Sequence, residues 1–207
     1  VLMKTGVFTS TIAEAGAFIK TKDELEAPNI QLHYAPAMVI DHGRKSAWGT
    51  GLSCHSCLLR PKSRGEVTLE SADPFADPLI DPKFLTHPDD MQDMIDGYKA
   101  MMKVLNNASF SKYISQNTQR PIDINDDADI EKAIREEADT VYHPVGTCKM
   151  GDDDMSVVSH DLKVHKMKGL RVVDASIMPT LVGGNTNAPT IMIGEKASDL
   201  IINEWRI

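Results

Sequence analysis

No Gly-x-Gly-x-x-Gly run occurs anywhere in the chain, so it lacks the glycine fingerprint that lets backbone close on a dinucleotide. It also has no Gly-x-x-x-x-Gly-Lys-Ser/Thr phosphate loop and no Gly-x-Ser-x-Gly elbow, which argues against P-loop and elbow-type serine chemistry. Positive charge is short too. The 30 acidic residues outnumber the 22 basic ones, giving a formal charge of −8, whereas nucleic-acid binding needs a basic footprint. No apolar run approaches the ~20 residues that span a bilayer. Cysteine is scarce, at three in 207 residues, and the odd count gives no disulfide framework. A reducing compartment is therefore expected, the cytoplasm, with membrane association left open. The chain opens Val1-Leu2-Met3-Lys4, without a secretory leader, and reads as a fragment or processed product.

What is present is ordinary for a globular chain, 42% hydrophobic and 25% charged, with length for one large domain or two small ones. Residues 13–20 form a short amphipathic stretch of undecided type. Ile30, Leu32 and Tyr34 alternate with Gln31 and His33, which predicts a strand. Met38-Val39-Ile40 reads as its continuation or a neighbour, and residues 52–59 and 66–70 as further strands. Pro74, Pro78 and Pro82 force extended loop. A helix is expected from Pro88, with Met91, Met94, Ile95, Tyr98, Met102 and Leu105 on one face. That methionine stripe reads as core filling. A second helix is expected over 127–139, burying Ile130, Ala133 and Ile134. A third starts near Asn187, placed to cap it, and turns Ile193, Ala197, Leu200 and Ile201 inward. Residues 162–174, broken at Lys168-Gly169, suggest a hairpin. The order of elements predicts an α+β fold, an antiparallel sheet covered by helices on one side.

Several motifs invite chemistry. Asp152-Asp153-Asp154 lacks the glycine and closing glutamate of a calcium loop and reads as solvated surface. Cys54-His55-Ser56-Cys57 has CxxC spacing but falls inside a predicted strand, where Cys54 and Cys57 face opposite ways. Structural thiols are favoured over a zinc or redox site, and no metal is expected. His143, followed by Pro144, is held extended. Alone it reads as a hydrogen-bonded core histidine, although a histidine facing a cavity can act as a general base. Asn185 and Asn187 lie between Gly183-Gly184 and a helix start, where backbone can approach a ligand and N–H groups favour an anion.

Taken together, several segments carry a more specific signal. They are Gln31-Leu32-His33-Tyr34, Asp41-His42-Gly43-Arg44, Cys57 through Val67, Asp81-Pro82, His143-Pro144-Val145-Gly146-Thr147 and Val173-Asp174-Ala175-Ser176-Ile177-Met178-Pro179. The Gly183–Thr190 segment and the final helix, with Ile193-Gly194-Glu195-Lys196-Ala197, extend it. This set resembles the glucose–methanol–choline (GMC) oxidoreductases, flavin enzymes that oxidise alcohols, and most of all their choline dehydrogenase and aliphatic alcohol dehydrogenase branch. The resemblance implies a base at His143 with Asn185 as its partner. It implies FAD contacts at Asp174 and Ala175 (phosphate and ribose) and at Thr186 and Asn187 (isoalloxazine). It also implies substrate contacts at His42 and Tyr34.

By the same resemblance, residues 1–140 are expected to form a substrate-binding domain and 141–207 to return to an FAD-binding domain whose N-terminal half is not in this chain. FAD is then expected in the full-length enzyme and not in this piece alone. The implied partners are a small-molecule alcohol and the missing N-terminal half. Val172-Val173-Asp174 would be an orphan strand, packed locally or paired with another copy in a homo-oligomer. The competing class is a free-standing small-molecule-binding module without catalysis. Choline recognition favours aromatic cages, and aromatics make up only 5% of the chain, with Tyr34 and Trp48 as candidates.

Overall fold

The computed structural model describes residues 11, 13–39, 44–45, 49, 51–114 and 121–205. The chain divides into two compact units, Val1–Leu59 with Leu85–Asp139, and Arg60–Phe84 with Thr140–Ile207. Residues 60–84, which the sequence reading joined to the first portion, thus pack with the C-terminal part. Their short β-hairpin, β4 (Glu66–Thr68) against β5 (Leu79–Asp81), is exposed along both strands, so its pattern gave no hint of where it packs.

The first unit is built on a three-stranded antiparallel sheet in the order β1 (Ala15–Ile19), β2 (Ile30–Ala35), β3 (Ser53–Leu58). In β2 the predicted alternation sets Ile30 and Leu32 into the core at 0% and 1% exposure, leaving Gln31 and His33 half-buried. Helix α1 (Pro88–Leu105) covers that face, with Met101 buried against Ile30 and Leu32, and Met94, Tyr98, Met102 and Leu105 around them. His87 caps α1 by accepting from the Asp89 N–H at 3.2 Å. Past the brief α2 (Ala108–Ser111), α3 (Asp127–Glu137) buries Ile130, Ala133 and Ile134 as expected, and Ile130 and Ile134 meet Met91 and Ile95 of α1. Asp126 caps α3 through its side chain to Ala128 N–H at 3.0 Å.

Strand β1 is the element that periodicity left undecided. It is an edge strand, with Phe18 53% exposed, and its conformation is set by pairing with β2, Ile19 opposite Ile30, instead of by its own pattern. A Cβ at Gly16 would sit 2.8 Å from the Leu32 carbonyl oxygen, so glycine is what lets the two strands approach. The β1–β2 connection is pinned by Asn29, 4% exposed, which donates to Thr21 Oγ1 at 2.8 Å and accepts from Thr21 N–H at 3.0 Å. Met38 and Val39 lie outside any strand, contrary to expectation, and Ile40 lies outside the described residues.

Cys54 and Cys57 lie on β3 as free thiols, and burial pushes both up, Cys54 to about 11. Among the described residues no group of three His, Cys, Asp or Glu side chains gathers to hold a metal. Because the thiolate is the reactive form, alkylation of Cys54 is expected to quicken about tenfold per pH unit between about pH 7 and 9, with no plateau. Peptide mass spectrometry of iodoacetamide-treated chain checks this. A rate already level at neutral pH would show a low-pKa, redox-type thiol instead.

The second unit holds its core with loops and one helix. Val158, Leu162, Ile177 and Met178 pack against Ile193 and Ala197 of α4 (Asn187–Trp205). Leu200 joins this core, whereas Ile201, expected inward, is 40% exposed. Isolated bridges such as Lys163–Arg171 stand where a hairpin was expected, with the turn at Gly169 (φ +73°). Val172 donates to the Leu162 carbonyl and leans on the core, so this segment packs locally, without forming a strand. Among the described residues, no helix is long and apolar enough to cross a membrane.

Candidate active site

His143 is delivered by a sharply bent segment of the second unit. Tyr142 before it has φ +61° and Gly146 after it φ +87°. A tyrosine in the left-handed region costs on the order of 1–3 kcal/mol, so surrounding contacts must enforce it. One is its own N–H, which donates to Thr140 Oγ1 at 3.0 Å. Beyond Gly146 the chain is fastened to the Ala175–Ile177 turn, Cys148 N–H donating to Ser176 O at 3.0 Å and Met150 N–H to Ile177 O at 2.8 Å. This fixes the base of the loop to the buried core, while His143 itself stays half-buried.

The other side of the site is the loop entering α4. Gly183 lies under the Arg60 guanidinium, where a Cβ would come 2.6 Å from Arg60 Nη2. Asn185 follows and is exposed, with Thr186 buried at 7% exposure. These two residues close on the histidine. Asn185 Nδ2 lies 2.8 Å from His143 Nε2, and Thr186 Oγ1 lies 2.9 Å from His143 Nδ1. Both ring nitrogens are therefore engaged by consecutive residues. Asn187, expected as a cap, is instead the first residue of α4, and Thr186 stands in the preceding position. The Thr186 carbonyl accepts from Thr190 N–H at 3.0 Å.

The remaining expected site residues fall as follows. Asp174 is exposed and accepts from Ser176 N–H at 2.8 Å, opening the short 3-10 turn Ala175–Ile177. Ala175 is half-buried against the core. His143, Asn185, Thr186, Asn187, Asp174 and Ala175 all belong to the second unit. Tyr34 belongs to the first, where its ring meets Phe110 edge-on at 6.4 Å. Its hydroxyl is shielded from water beside Cys54, and burial raises the phenol well above its ordinary range. The residue as a whole is half-buried. His42 and Trp48 lie outside the described residues. Sequence reading missed the Thr186–His143 bond. The adjacency of Thr186 to Asn185 was its one visible signal.

The family model described as GMC oxidoreductase matches residues 61–194. The chain belongs to the GMC oxidoreductases. It is 46% identical over 204 residues to an alcohol dehydrogenase [acceptor] of Pseudomonas putida, covering 99% of this chain and 37% of that protein. It is 42% identical over 197 residues to the oxygen-dependent choline dehydrogenase of Klebsiella pneumoniae, covering 95% and 36%. A form of formate oxidase from Aspergillus oryzae RIB40, in which FAD modification was followed, superposes with a TM-score of 0.81 at 29% identity, over 87% of this chain and 32% of that one. This GMC chain therefore spans little more than a third of the length of the curated relatives it matches. Its α+β fold, an antiparallel sheet under helices, agrees with these GMC neighbours.

Proposed function

We propose that this chain is the C-terminal portion of an FAD-dependent dehydrogenase that oxidises a primary alcohol to an aldehyde, with His143 taking the hydroxyl proton. The observation that carries the reading is the His143–Asn185 pair, a half-buried imidazole facing an exposed carboxamide at 2.8 Å. Oxidising an alcohol removes a proton from oxygen and a hydride from carbon. The proton needs an acceptor within hydrogen-bond reach, and the oxygen that it leaves needs a donor. His143 Nε2 supplies the first and Asn185 Nδ2 the second. An alcohol entering between them displaces the amide from Nε2 and receives it at its own oxygen.

The residues present suit a flavin. The start of α4, with exposed Asn187 and Ala188, offers backbone N–H groups and partial positive charge beside the pair. Exposed Asp174 suits a ribose hydroxyl. FAD, when bound, would take the hydride. The Gly-x-Gly-x-x-Gly cradle would come from the missing N-terminal half, so FAD is not assigned to this chain alone. Residues 1–140 would build most of the substrate-binding domain, and 141–207 would return to the FAD domain. The surface of the second unit agrees with a missing neighbour. Leu69, Phe75, Ile80, Ile191, Met192 and Trp205 are all more than half exposed, and α4 carries apolar side chains around much of its circumference. The relatives act on alcohols or on choline, and either is a candidate substrate.

The test is anaerobic mixing of the full-length flavoprotein with primary alkanols and with choline. Bleaching of the flavin absorbance by one of them is expected. No bleaching by any, together with calorimetric binding of an alcohol or amine without FAD, would replace this reading with a non-catalytic binding module.

A further inference from the structure

Thr186 stands one residue before α4, where a threonine ordinarily turns its hydroxyl onto the helix's own N–H groups. Here Oγ1 goes to His143 Nδ1 instead, at 2.9 Å. One feature favours this: Pro189, the third helical residue, has no N–H to offer. The Thr186 carbonyl makes the ordinary first bond of the helix, accepting from Thr190 N–H at 3.0 Å, and also accepts from Thr190 Oγ1 at 2.7 Å. Thr186 is 7% exposed, so water competes poorly for its bond.

The orientation of the Asn185 amide, with Nδ2 toward Nε2, assigns the ring proton. A neutral imidazole has one N–H and one bare nitrogen. Asn185 meets Nε2 with Nδ2, which can only donate, so Nε2 is the bare nitrogen. That assignment puts the proton on Nδ1, and Thr186 Oγ1, a hydroxyl able to donate or accept, takes the accepting role. Free histidine in water favours the opposite arrangement, so the protein has to impose this one. We propose that Thr186 is a positioning residue that holds His143 in the Nδ1–H tautomer and keeps the Nε2 lone pair available to a substrate hydroxyl. The purpose of this device rests on the alcohol-oxidation reading. The tautomer itself does not.

Long-range proton–nitrogen correlation spectra of the full chain, labelled at histidine nitrogen, read the tautomer directly. The His143 signals are identified by their loss in His143→Gln. The wild-type chain is expected to show a protonated Nδ1 and a bare Nε2. Thr186→Val, which keeps the shape and removes the hydroxyl, is expected to lose that single pattern and shift toward Nε2–H, and Thr186→Ser to restore it. A wild-type ring protonated at Nε2, or a Thr186→Val spectrum matching wild type, overturns the proposal. Should Thr186→Val not fold by circular dichroism, the wild-type pattern still decides, since Nε2–H there is enough to overturn it. Finding Nδ1–H in a protein whose flavin no alcohol reduces would overturn the oxidation reading and leave the Thr186 assignment standing.

Discussion

Replacing His143 with alanine is expected to slow reduction of the flavin by alcohol about 10²–10⁴-fold in the full-length protein, while the bound FAD content stays unchanged. That range corresponds to roughly 3–5 kcal/mol of lost transition-state stabilisation. Removing an ordinary neutral hydrogen bond costs only about 0.5–1.5 kcal/mol, so the size of the loss separates a proton acceptor from a mere binding contact. FAD retention is expected because the imidazole is tied to Asn185 and Thr186 and is not packed into the buried cluster of Val158, Leu162, Ile177 and Met178. Stopped-flow absorbance under anaerobic conditions gives the rate, and the absorbance before mixing gives the flavin content. A rate within a few-fold of wild type would remove His143 from the role of base. Loss of flavin along with the rate would make it a structural residue.

The sequence exposed most of what this prediction uses, and the reasons are local. The Ile30–Tyr34 alternation, the methionine stripe of α1 and the Ile130, Ala133, Ile134 face of α3 are each written within a single element, so burial could be read from spacing. The pairing of His143 with Asn185 came from resemblance. No spacing rule brings residues 42 apart to 2.8 Å, and that meeting depends on how the loop after Thr140 folds back on the 175–178 turn. Features that live in tertiary contact stayed hidden. β1 takes its conformation from β2, Tyr142 is forced to positive φ, and the hydroxyl of Thr186 leaves its helix for a histidine.

The largest effect on stability is expected where α1 crosses the sheet. Ile30 is fully buried, and truncating it to alanine should cost about 2–5 kcal/mol from lost burial and the cavity left behind. Gly97 faces it from the middle of α1, where a Cβ would lie 2.8 Å from Ile30 Cδ1 and 2.7 Å from Ser56 Oγ. Alanine at 97 would gain about 0.5–1 kcal/mol of helix propensity. Overpacking costs about 1–3 kcal/mol, and with Ile30 enclosed on every side the overpacking wins, so Gly97→Ala is expected to destabilise. In Ile30→Ala/Gly97→Ala the new methyl enters space the isoleucine has left. The double variant should then be less damaged than the sum of the singles by about 0.5–3 kcal/mol, with the Ser56 contact keeping the relief incomplete. Urea unfolding of the four proteins, followed by near-UV circular dichroism, measures this. Losses that add within about 0.5 kcal/mol would mean that Ile30 and Gly97 do not share one space and that the helix can move away from the sheet without cost.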